Sequence, residues 1–239
     1  MVHRFAPTLA LIGDTGWLPS VYRRWGSIIR FWNRLVHMDN TRLTKRVFIH
    51  DYNMCDNNWS SGIKQIMIKL ECVNKFNDKS AINMPQVKSL IKDYYANIWS
   101  QDLHNTPKLR TYRLFKTVFT CEDYVTLNLK KSERSILSQF RCGILPLRIE
   151  TGRFVGEAPD QRLCRFCQLN SIEDETHFLL DCTCYIHIRE QVFGDIILTN
   201  DFINSSVHGK LNFIIHNYPR KIAKFLMKSY LKRKSIVYN

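Results

Sequence analysis

Residues 162–184, RLCRFCQLNSIEDETHFLLDCTC, decide how this chain is interpreted. Two residues separate Cys164 from Cys167, His177 follows after nine more, and Cys182 after another four. Two cysteines at this spacing can turn both sulfurs toward one ion on a tight loop. Because Zn²⁺ takes four nitrogen or sulfur donors in a tetrahedron, we predict a zinc site of Cys164, Cys167, His177 and Cys182.

The alternative is a set of free buried cysteines with a surface histidine, and we favour the metal because four donors recur at knuckle-like spacing. The fourth ligand is the open point, since Cys184 and His187 lie close behind Cys182. Three thiolates and one neutral imidazole give zinc a formal charge of −1, which Arg162 and Arg165 are near enough in sequence to offset. Four protein ligands leave no place for a water nucleophile, so the predicted site is structural.

The local pattern places the last two ligands on a helix. Residues 171–174, Ser-Ile-Glu-Asp, resemble a capping box, which predicts a helix from Ile172 with His177 in its second turn. On an ideal helix Cys182 is then about 140° away from His177. We therefore expect the helix to unwind before Asp181. Glu173, Asp174 and Glu175 are interpreted as favourable charges at a helix N-terminus.

Composition and charge describe a folded, basic protein. The 239 residues are 45% hydrophobic and 12% aromatic, with only nine glycines, which favours helices around a real core. The net charge is +14, and eight Lys or Arg residues but no acid follow Asp201. Such an excess indicates a polyanionic partner, with a solubilising surface as the alternative. No segment has the roughly 20 apolar residues of a membrane span, and we identify no signal peptide, so an intracellular location in nucleus or cytoplasm is expected.

Hydrophobic periodicity predicts helices along most of the chain. One begins after Pro19 with Trp25 and Trp32 as core residues, an interpretation we favour over base stacking. Further helices are predicted at 42–50, from a Ser60 cap through Leu70, from Pro85 to Trp99, at 131–142, 186–193 and 202–216, and from Pro219 onward, with a loop at 74–83.

Residues 107–116 alternate basic with large apolar side chains. We expect Leu109, Tyr112 and Phe115 to be buried, while the basic residues stay in solvent; the alternative is phosphate contact with aromatic stacking. The solvated set consists of Lys108, Arg110, Arg113 and Lys116.

The sequence shows no catalytic constellation. It has no adjacent aspartate pair, no glycine-rich phosphate loop and no Ser/His/Asp arrangement at a known spacing, and His50, His104 and Cys121 have no partners at ligand spacing. We therefore expect neither enzymatic activity nor a small-molecule substrate.

Three segments together resemble the C-terminal region of LINE-type, non-LTR retrotransposon reverse transcriptases, which ends in a zinc knuckle. They are residues 134–154, 162–167 and 172–182. Shorter upstream stretches with the same resemblance are residues 5–8, 13–17, 30–33 and 108–112. One departure concerns the end of the knuckle, where the family usually has proline after the last ligand cysteine and this chain has Thr183 and Cys184.

The resemblance implies a part of a larger protein whose polymerase and endonuclease modules would precede Met1, and whose end binds RNA or DNA. We expect a mostly α-helical protein with a helical region at 1–145, a zinc-knuckle module at 146–195 and basic helices at 196–239. The expected function is non-catalytic nucleic-acid binding; the alternative is a protein-interaction module that keeps only the fold. Candidate nucleic-acid contacts are Lys108, Arg110, Arg113, Arg162, Arg165, Lys224, Lys228 and Lys232.

Overall fold

A computed structural model describes residues 7–237, which are mostly helical, as predicted. The helices are α1 (Thr8–Thr15), α2 (Ser20–Val36), α3 (Leu43–Met54), α4 (Trp59–Lys69), α5 (Val73–Asn77), α6 (Met84–His104), α7 (Tyr112–Phe115), α8 (Asp123–Thr126), α9 (Lys131–Arg141), α10 (Arg148–Thr151), α11 (Ile186–Ile197), α12 (Asn200–Ile203), α13 (Val207–Asn217) and α14 (Pro219–Val237). Short 3-10 turns lie at Pro107–Leu109, Gly152–Val155, Pro159–Gln161 and Thr183–Tyr185. Within the described residues, the β pairing is a single antiparallel bridge between Leu163 and Ile172.

The chain forms two compact units. Trp17–Asp102 is one unit, and the residues up to Gly16 together with those from Leu103 onward form the other. The structure thus divides the chain elsewhere than at 146 and 196. The physical reason is a shared core: Phe140 of α9, Phe178 beside the predicted ligands and Phe225 of α14 belong to one buried cluster. The predicted knuckle module and C-terminal helices therefore lie in one unit with α9.

The Trp17–Asp102 unit confirms the predicted tryptophan core. Trp32 and Ile29 of α2 are fully buried, and the Trp32 ring stacks on Phe76 at 5.2 Å between centroids. Phe76 belongs to α5, so part of the predicted 74–83 loop is helical, because this aromatic side chain turns into the core. The N-cap of α4 is also corrected. Asn58 rather than Ser60 accepts the capping hydrogen bond, from the Ser61 amide at 2.9 Å.

In the other unit, α14 is the central packing element. Its residues Ile222, Phe225 and Leu226 are fully buried, at helical spacing. It packs against α9, α11 and α13. The predicted 202–216 helix is interrupted: α12 ends at Ile203, and the Ser206 side chain caps α13 by accepting from the Gly209 amide at 3.1 Å.

The 107–116 segment is buried as expected, with one correction. Leu109, Tyr112 and Phe115 are at most 3% exposed. Lys116 is also buried, because its ammonium pairs with Glu122 at 2.6 Å and donates to a backbone carbonyl. It is therefore not the solvated side chain that the alternation of residues predicts.

Within residues 7–237, no helix combines the length and apolar character needed to cross a bilayer. Phe5 and Ala6, which contribute to the family resemblance, lie outside the described residues.

Candidate metal centre

The structure brings the four predicted ligands together. The sulfurs of Cys164, Cys167 and Cys182 and a ring nitrogen of His177 all lie within 4.8 Å of one another. Cys164 and Cys182 are buried, His177 is 4% exposed and Cys167 is half-buried. This group can hold a metal ion.

The donor spacing fits tetrahedral zinc. The Cys164 and Cys182 sulfurs are 3.9 Å apart, and the Cys167 sulfur is 3.4 Å from Nε2 of His177. Zinc bonds of about 2.3 Å to sulfur and about 2.0 Å to nitrogen place tetrahedral donors about 3.5–3.8 Å apart. A disulfide needs about 2.05 Å between its sulfurs, so the Cys164 and Cys182 thiols do not form a bridge, and their spacing fits two ligands of one ion.

A small hairpin-like loop positions Cys164 and Cys167. The Cys164 amide donates to the Ser171 carbonyl at 2.9 Å, and the Glu173 amide donates to the Arg162 carbonyl at 3.0 Å. Asn170 makes the return with a left-handed φ of 49°, a conformation that asparagine tolerates. The amide of Phe166 points at the Cys164 sulfur at 3.4 Å, which favours the thiolate form that a metal needs.

A wide helical turn positions the other two ligands. Residues His177–Asp181 form a π-type turn, and the Cys182 amide donates to the His177 carbonyl at 2.8 Å. Because this bond closes a turn over five residues, Cys182 returns to the same side as His177. The expected angular mismatch is thus removed by a wider turn, after which the helix ends at Asp181.

The start of this turn corrects the predicted capping box. The side chain of Asp174, not Ser171, accepts from the His177 amide at 2.8 Å, and helical residues begin at Glu175. His177 therefore lies in the first turn. Ser171 is instead part of the loop pairing, where its carbonyl binds the Cys164 amide.

Burial sets the protonation of the ligands. It raises the pKa of the Cys164 and Cys182 thiols, and it lowers the pKa of His177. The imidazole is therefore held neutral, as a ligand must be, while the thiols need a bound cation to become thiolates. Metal binding and thiol deprotonation are consequently coupled at this site.

Arg189 supports the ligand-bearing turn, and sequence reasoning missed it. Its guanidinium, on α11, donates to the Leu179 carbonyl at 2.8 Å and to the Cys182 carbonyl at 3.0 Å. The two hydrogen bonds tie both ends of the wide turn to α11. The cation also lies beside the sulfur cluster, where its charge offsets thiolate charge. The only signal in the sequence is a basic residue within an apolar helical pattern.

Glu173 is also more than a favourable charge at a helix N-terminus. It is 1% exposed and accepts from the Arg148 amide at 2.7 Å and from the Arg233 guanidinium at 3.0 Å. Arg233 lies on α14, so a buried ion pair joins the end of the hairpin-like loop to the last helix. Glu175 is likewise buried and pairs with Arg110 at 3.3 Å.

Cys184 and His187, the competitors for the fourth ligand, lie outside the four-donor group. His187 is exposed and lies 3.5 Å from Glu190. The carbonyl of Cys184 accepts from the Lys232 ammonium at 2.7 Å. Among the described residues, Cys182 is therefore the cysteine that the fold places with the other three.

Five of the eight candidate nucleic-acid contacts are already engaged within the protein. Arg162 donates three hydrogen bonds of 2.8–3.0 Å to backbone carbonyls, and Arg113 donates one of 2.7 Å. Arg110 pairs with Glu175, Lys228 donates to Gln191 at 2.6 Å, and Lys232 binds the Cys184 carbonyl. These contacts hold elements together, which explains their positions without a ligand.

The remaining three are open to solvent. Lys108 and Lys224 are exposed and have no hydrogen-bond or ion-pair partner among the described residues. Arg165 lies between the two cysteines of the loop and is 68% exposed. Its one ion pair, to Glu157, is long at 3.7 Å. These cations are available to a partner.

Comparison of the chain with protein-family models, with curated proteins and with solved structures finds no match in any of the three. The site and its surroundings therefore carry the functional argument.

Proposed function

We propose that this chain is a zinc-stabilised, non-catalytic nucleic-acid-binding module, of the kind that the C-terminal region of a non-LTR retrotransposon reverse transcriptase provides. One observation carries the proposal: four buried or half-buried donors, three sulfurs and one imidazole nitrogen, converge within 4.8 Å. Such a set suits Zn²⁺ better than hard cations, which prefer oxygen ligands.

The metal in this proposal is structural. Four protein donors complete a tetrahedral shell, so no position remains for water or substrate. The ion would instead join the hairpin-like loop to the helical turn. Its binding free energy then contributes to folding of the region around it.

Charge supports a nucleic-acid partner. The chain carries +14; Lys108 and Lys224 are exposed without a carboxylate partner among the described residues, and Arg165 is 68% exposed with one long ion pair, 3.7 Å, to Glu157. Polyanion binding releases condensed counterions for each cation that meets a phosphate, which makes affinity depend steeply on salt. The same charge on a solubilising surface gives no such affinity.

Metal analysis tests the first half of the proposal. Protein purified without chelator should contain about one zinc per chain, and Cys164→Ser or His177→Ala should lose it. Cys184→Ser and Cys121→Ser serve as matched controls and should retain it, since neither sulfur belongs to the donor group. Full zinc content in both ligand variants would disprove the assignment.

Salt-dependent binding tests the second half. Replacing Lys224, Lys228, Lys232 and Lys234 with Gln should flatten the slope of log affinity against log salt by about two to four units if half or more of them touch phosphate. The matched control removes four exposed cations of the other unit, Arg23, Arg24, Lys88 and Lys92. No affinity for RNA or DNA at low salt would disprove nucleic-acid binding and favour a protein-interaction module.

A further inference from the structure

A cleft of about 250 Å³ lies where the hairpin-like loop of Cys164 and Cys167 meets the C-terminal helix α14. The residues of its lining that bear on a ligand are Arg148, Arg165, Phe166, Tyr230, Arg233 and Lys234. It is smaller than the roughly 300–1,000 Å³ of pockets that enclose a whole drug-sized ligand. Its size therefore suits a single ring or phosphate group.

The walls of the cleft come from residues 146–151, from the hairpin-like loop with Glu173, and from α14. Arg233 of α14 contacts the other two segments. This guanidinium donates to the Pro146 carbonyl at 2.8 Å and to the Glu173 carboxylate at 3.0 Å, and it lies 4.2 Å from the centre of the Phe166 ring. Glu173 follows the hairpin-like loop, and Arg233 belongs to α14. These hydrogen bonds therefore hold the walls of the cleft in place. Because Arg233 already makes these contacts, it is not counted as a cation that is available to a ligand.

The lining is strongly basic. Four cations, Arg148, Arg165, Arg233 and Lys234, face one lining carboxylate, Glu173. Arg148 and Arg233 have carboxylate partners, Glu157 and Glu173. Lys234 and Arg165 are exposed at the mouth, and the single ion pair of Arg165, to Glu157, is long at 3.7 Å, so both cations can meet an anion.

Two aromatic rings accompany these charges. Phe166 and Tyr230 are both half-buried, and the Lys234 ammonium lies 4.8 Å above the Tyr230 ring. Lysine is long and flexible, so Lys234 can leave the ring for a phosphate and uncover the aromatic face. Aromatic rings beside mobile cations are the combination with which proteins hold unpaired bases and their backbone.

We propose that this cleft binds one unpaired nucleotide of a single-stranded nucleic acid, with the base stacked on Tyr230 and the phosphate held by Arg165 and Lys234. The inference rests on the proposed nucleic-acid-binding function and narrows it to single strands. A duplex cannot use the cleft in this way, because its base faces are covered within the stack and reaching them costs unstacking energy.

The metal centre shapes one wall of the cleft. Arg165 and Phe166 are the two residues between the ligands Cys164 and Cys167. A bound ion fixes the ends of this short loop and thereby the positions of both side chains. Single-strand affinity should therefore fall on chelation.

The test measures binding of fluorescent twelve-nucleotide oligo(dT) and oligo(rU), and of a duplex of equal length, to the full chain. Tyr230→Leu removes the stacking face while keeping apolar volume. Since stacking of one base is worth a factor of about 5 to 150, single-strand affinity should fall by this factor, with the salt slope and duplex binding unchanged. The oligo(rU) and oligo(dT) arms distinguish recognition of ribose from recognition of base and phosphate alone.

Two tyrosine variants control for folding. Tyr218→Leu makes the same change at another half-buried tyrosine of this unit, whose ring also has a lysine near it, at 5.7 Å, and it should bind as the wild type. Tyr230→Phe keeps the ring and should restore affinity. Thermal melting of each variant identifies any loss of fold.

Charge variants test the phosphate contacts. Arg165→Gln combined with Lys234→Gln should reduce the single-strand salt slope by about 1.4 units, because each contact contributes about 0.7. Lys88→Gln with Lys92→Gln removes two exposed cations of the other unit and should leave the slope unchanged.

The outcomes separate the two proposals. Salt-dependent binding that neither Tyr230→Leu nor the charge variant weakens would overturn the cleft and leave the proposed function standing. No binding of any nucleic acid would overturn both. Crosslinking with 5-iodouridine in the oligonucleotide gives an independent readout: adducts should map to Tyr230 or Phe166, and adducts confined to other segments would contradict the cleft even if a variant fails to fold.

Discussion

Arg141 is among the most deeply buried charged residues of the described chain, and no sequence pattern predicts its burial. Its side chain is 1% exposed and pairs with Asp14 at 3.2 Å and Glu122 at 2.8 Å. Tyr112 adds a hydroxyl bond of 2.8 Å to Asp14, and burial raises the pKa of this tyrosine. The partners are as many as 127 residues apart along the chain, so spacing rules, which detect neighbours on one helix or loop, cannot find them.

We predict that Arg141→Ala destabilises the protein by about 3–5 kcal/mol, because it leaves the buried Asp14 carboxylate without a cation and removes one of the two cations that pair with Glu122. Urea unfolding followed by circular dichroism gives the free energy. Lys131→Ala is the control on the same helix; this exposed residue should change the free energy of unfolding by less than about 0.5 kcal/mol. Equal effects of the two substitutions would show that the ion pairs are unimportant.

The four donors of the candidate metal centre are the residues whose proximity the sequence predicted best. All four are named by their spacing alone, because a tetrahedral ion imposes a strict requirement on residue type and separation. The supporting residues escaped prediction. Arg189 and Arg233 act on backbone carbonyls and a carboxylate brought to them by the fold, and arginines on helices are common for many other reasons.

Arg189 allows a test of this support. We predict that Arg189→Met lowers zinc affinity by about 10- to 100-fold, as loss of an outer-shell partner commonly does. The change removes two hydrogen bonds from the turn that carries His177 and Cys182 while keeping apolar contact. Competition with a chromophoric chelator measures the affinity. Lys224→Met, an exposed change on α14, should leave it unaltered.

At the scale of elements, helices with one clear apolar face were predicted with nearly correct bounds, and short breaks were not. Helix α14 begins at Pro219 as expected, whereas the 202–216 segment is two helices separated by a serine cap. A break of three residues keeps the apolar spacing on either side, so periodicity does not reveal it. Periodicity also does not predict the wide turn at His177–Asp181. The angle between His177 and Cys182 on an ideal helix did predict that the helix must depart from ideal geometry here.

Chelation should loosen the knuckle while leaving most helices intact. We predict that removing zinc exposes Cys164, Cys167 and Cys182 to thiol reagents with little loss of helical circular dichroism, because the ion holds two short segments whereas α9 and α14 share an extensive core.

Two other cysteines serve as internal controls in this thiol-reactivity experiment. Cys121 is exposed and should react with or without chelator. Cys142 should stay unreactive in both states, because burial raises its pKa to about 12 and leaves almost no thiolate at neutral pH. Reaction of Cys142 on chelation, or complete loss of helicity, would show that the metal holds the whole unit.

At the scale of the molecule, the sequence predicted a helical protein with a zinc site, and its predicted boundaries at 146 and 196 do not coincide with the limits of the two compact units. The predicted boundaries at 146 and 196 follow the cysteine and histidine motif and the basic C-terminal sequence. They do not mark where apolar contacts end, since the core of Phe140, Phe178 and Phe225 crosses both positions. Only the contacts of the folded chain show that Trp17–Asp102 forms a separate unit.

The tryptophans turn this division into a measurement. All five, Trp17, Trp25, Trp32, Trp59 and Trp99, belong to the Trp17–Asp102 unit, and the zinc ligands all belong to the other. Tryptophan fluorescence of the intact chain therefore reports on the first unit alone, while helical circular dichroism reports on both.

Our last prediction is that chelation separates these two signals. With zinc bound, urea unfolding is followed by fluorescence and by circular dichroism; after chelation, part of the dichroism transition should move to lower urea, while the fluorescence midpoint stays in place. The reason is that each unit has its own buried core, and the ion stabilises only the one that binds it. His177→Ala should reproduce the shift without chelator, and Cys184→Ser, the matched control, should not. A fluorescence midpoint that moves together with the dichroism would show one cooperative unit in which the zinc site stabilises the tryptophan core.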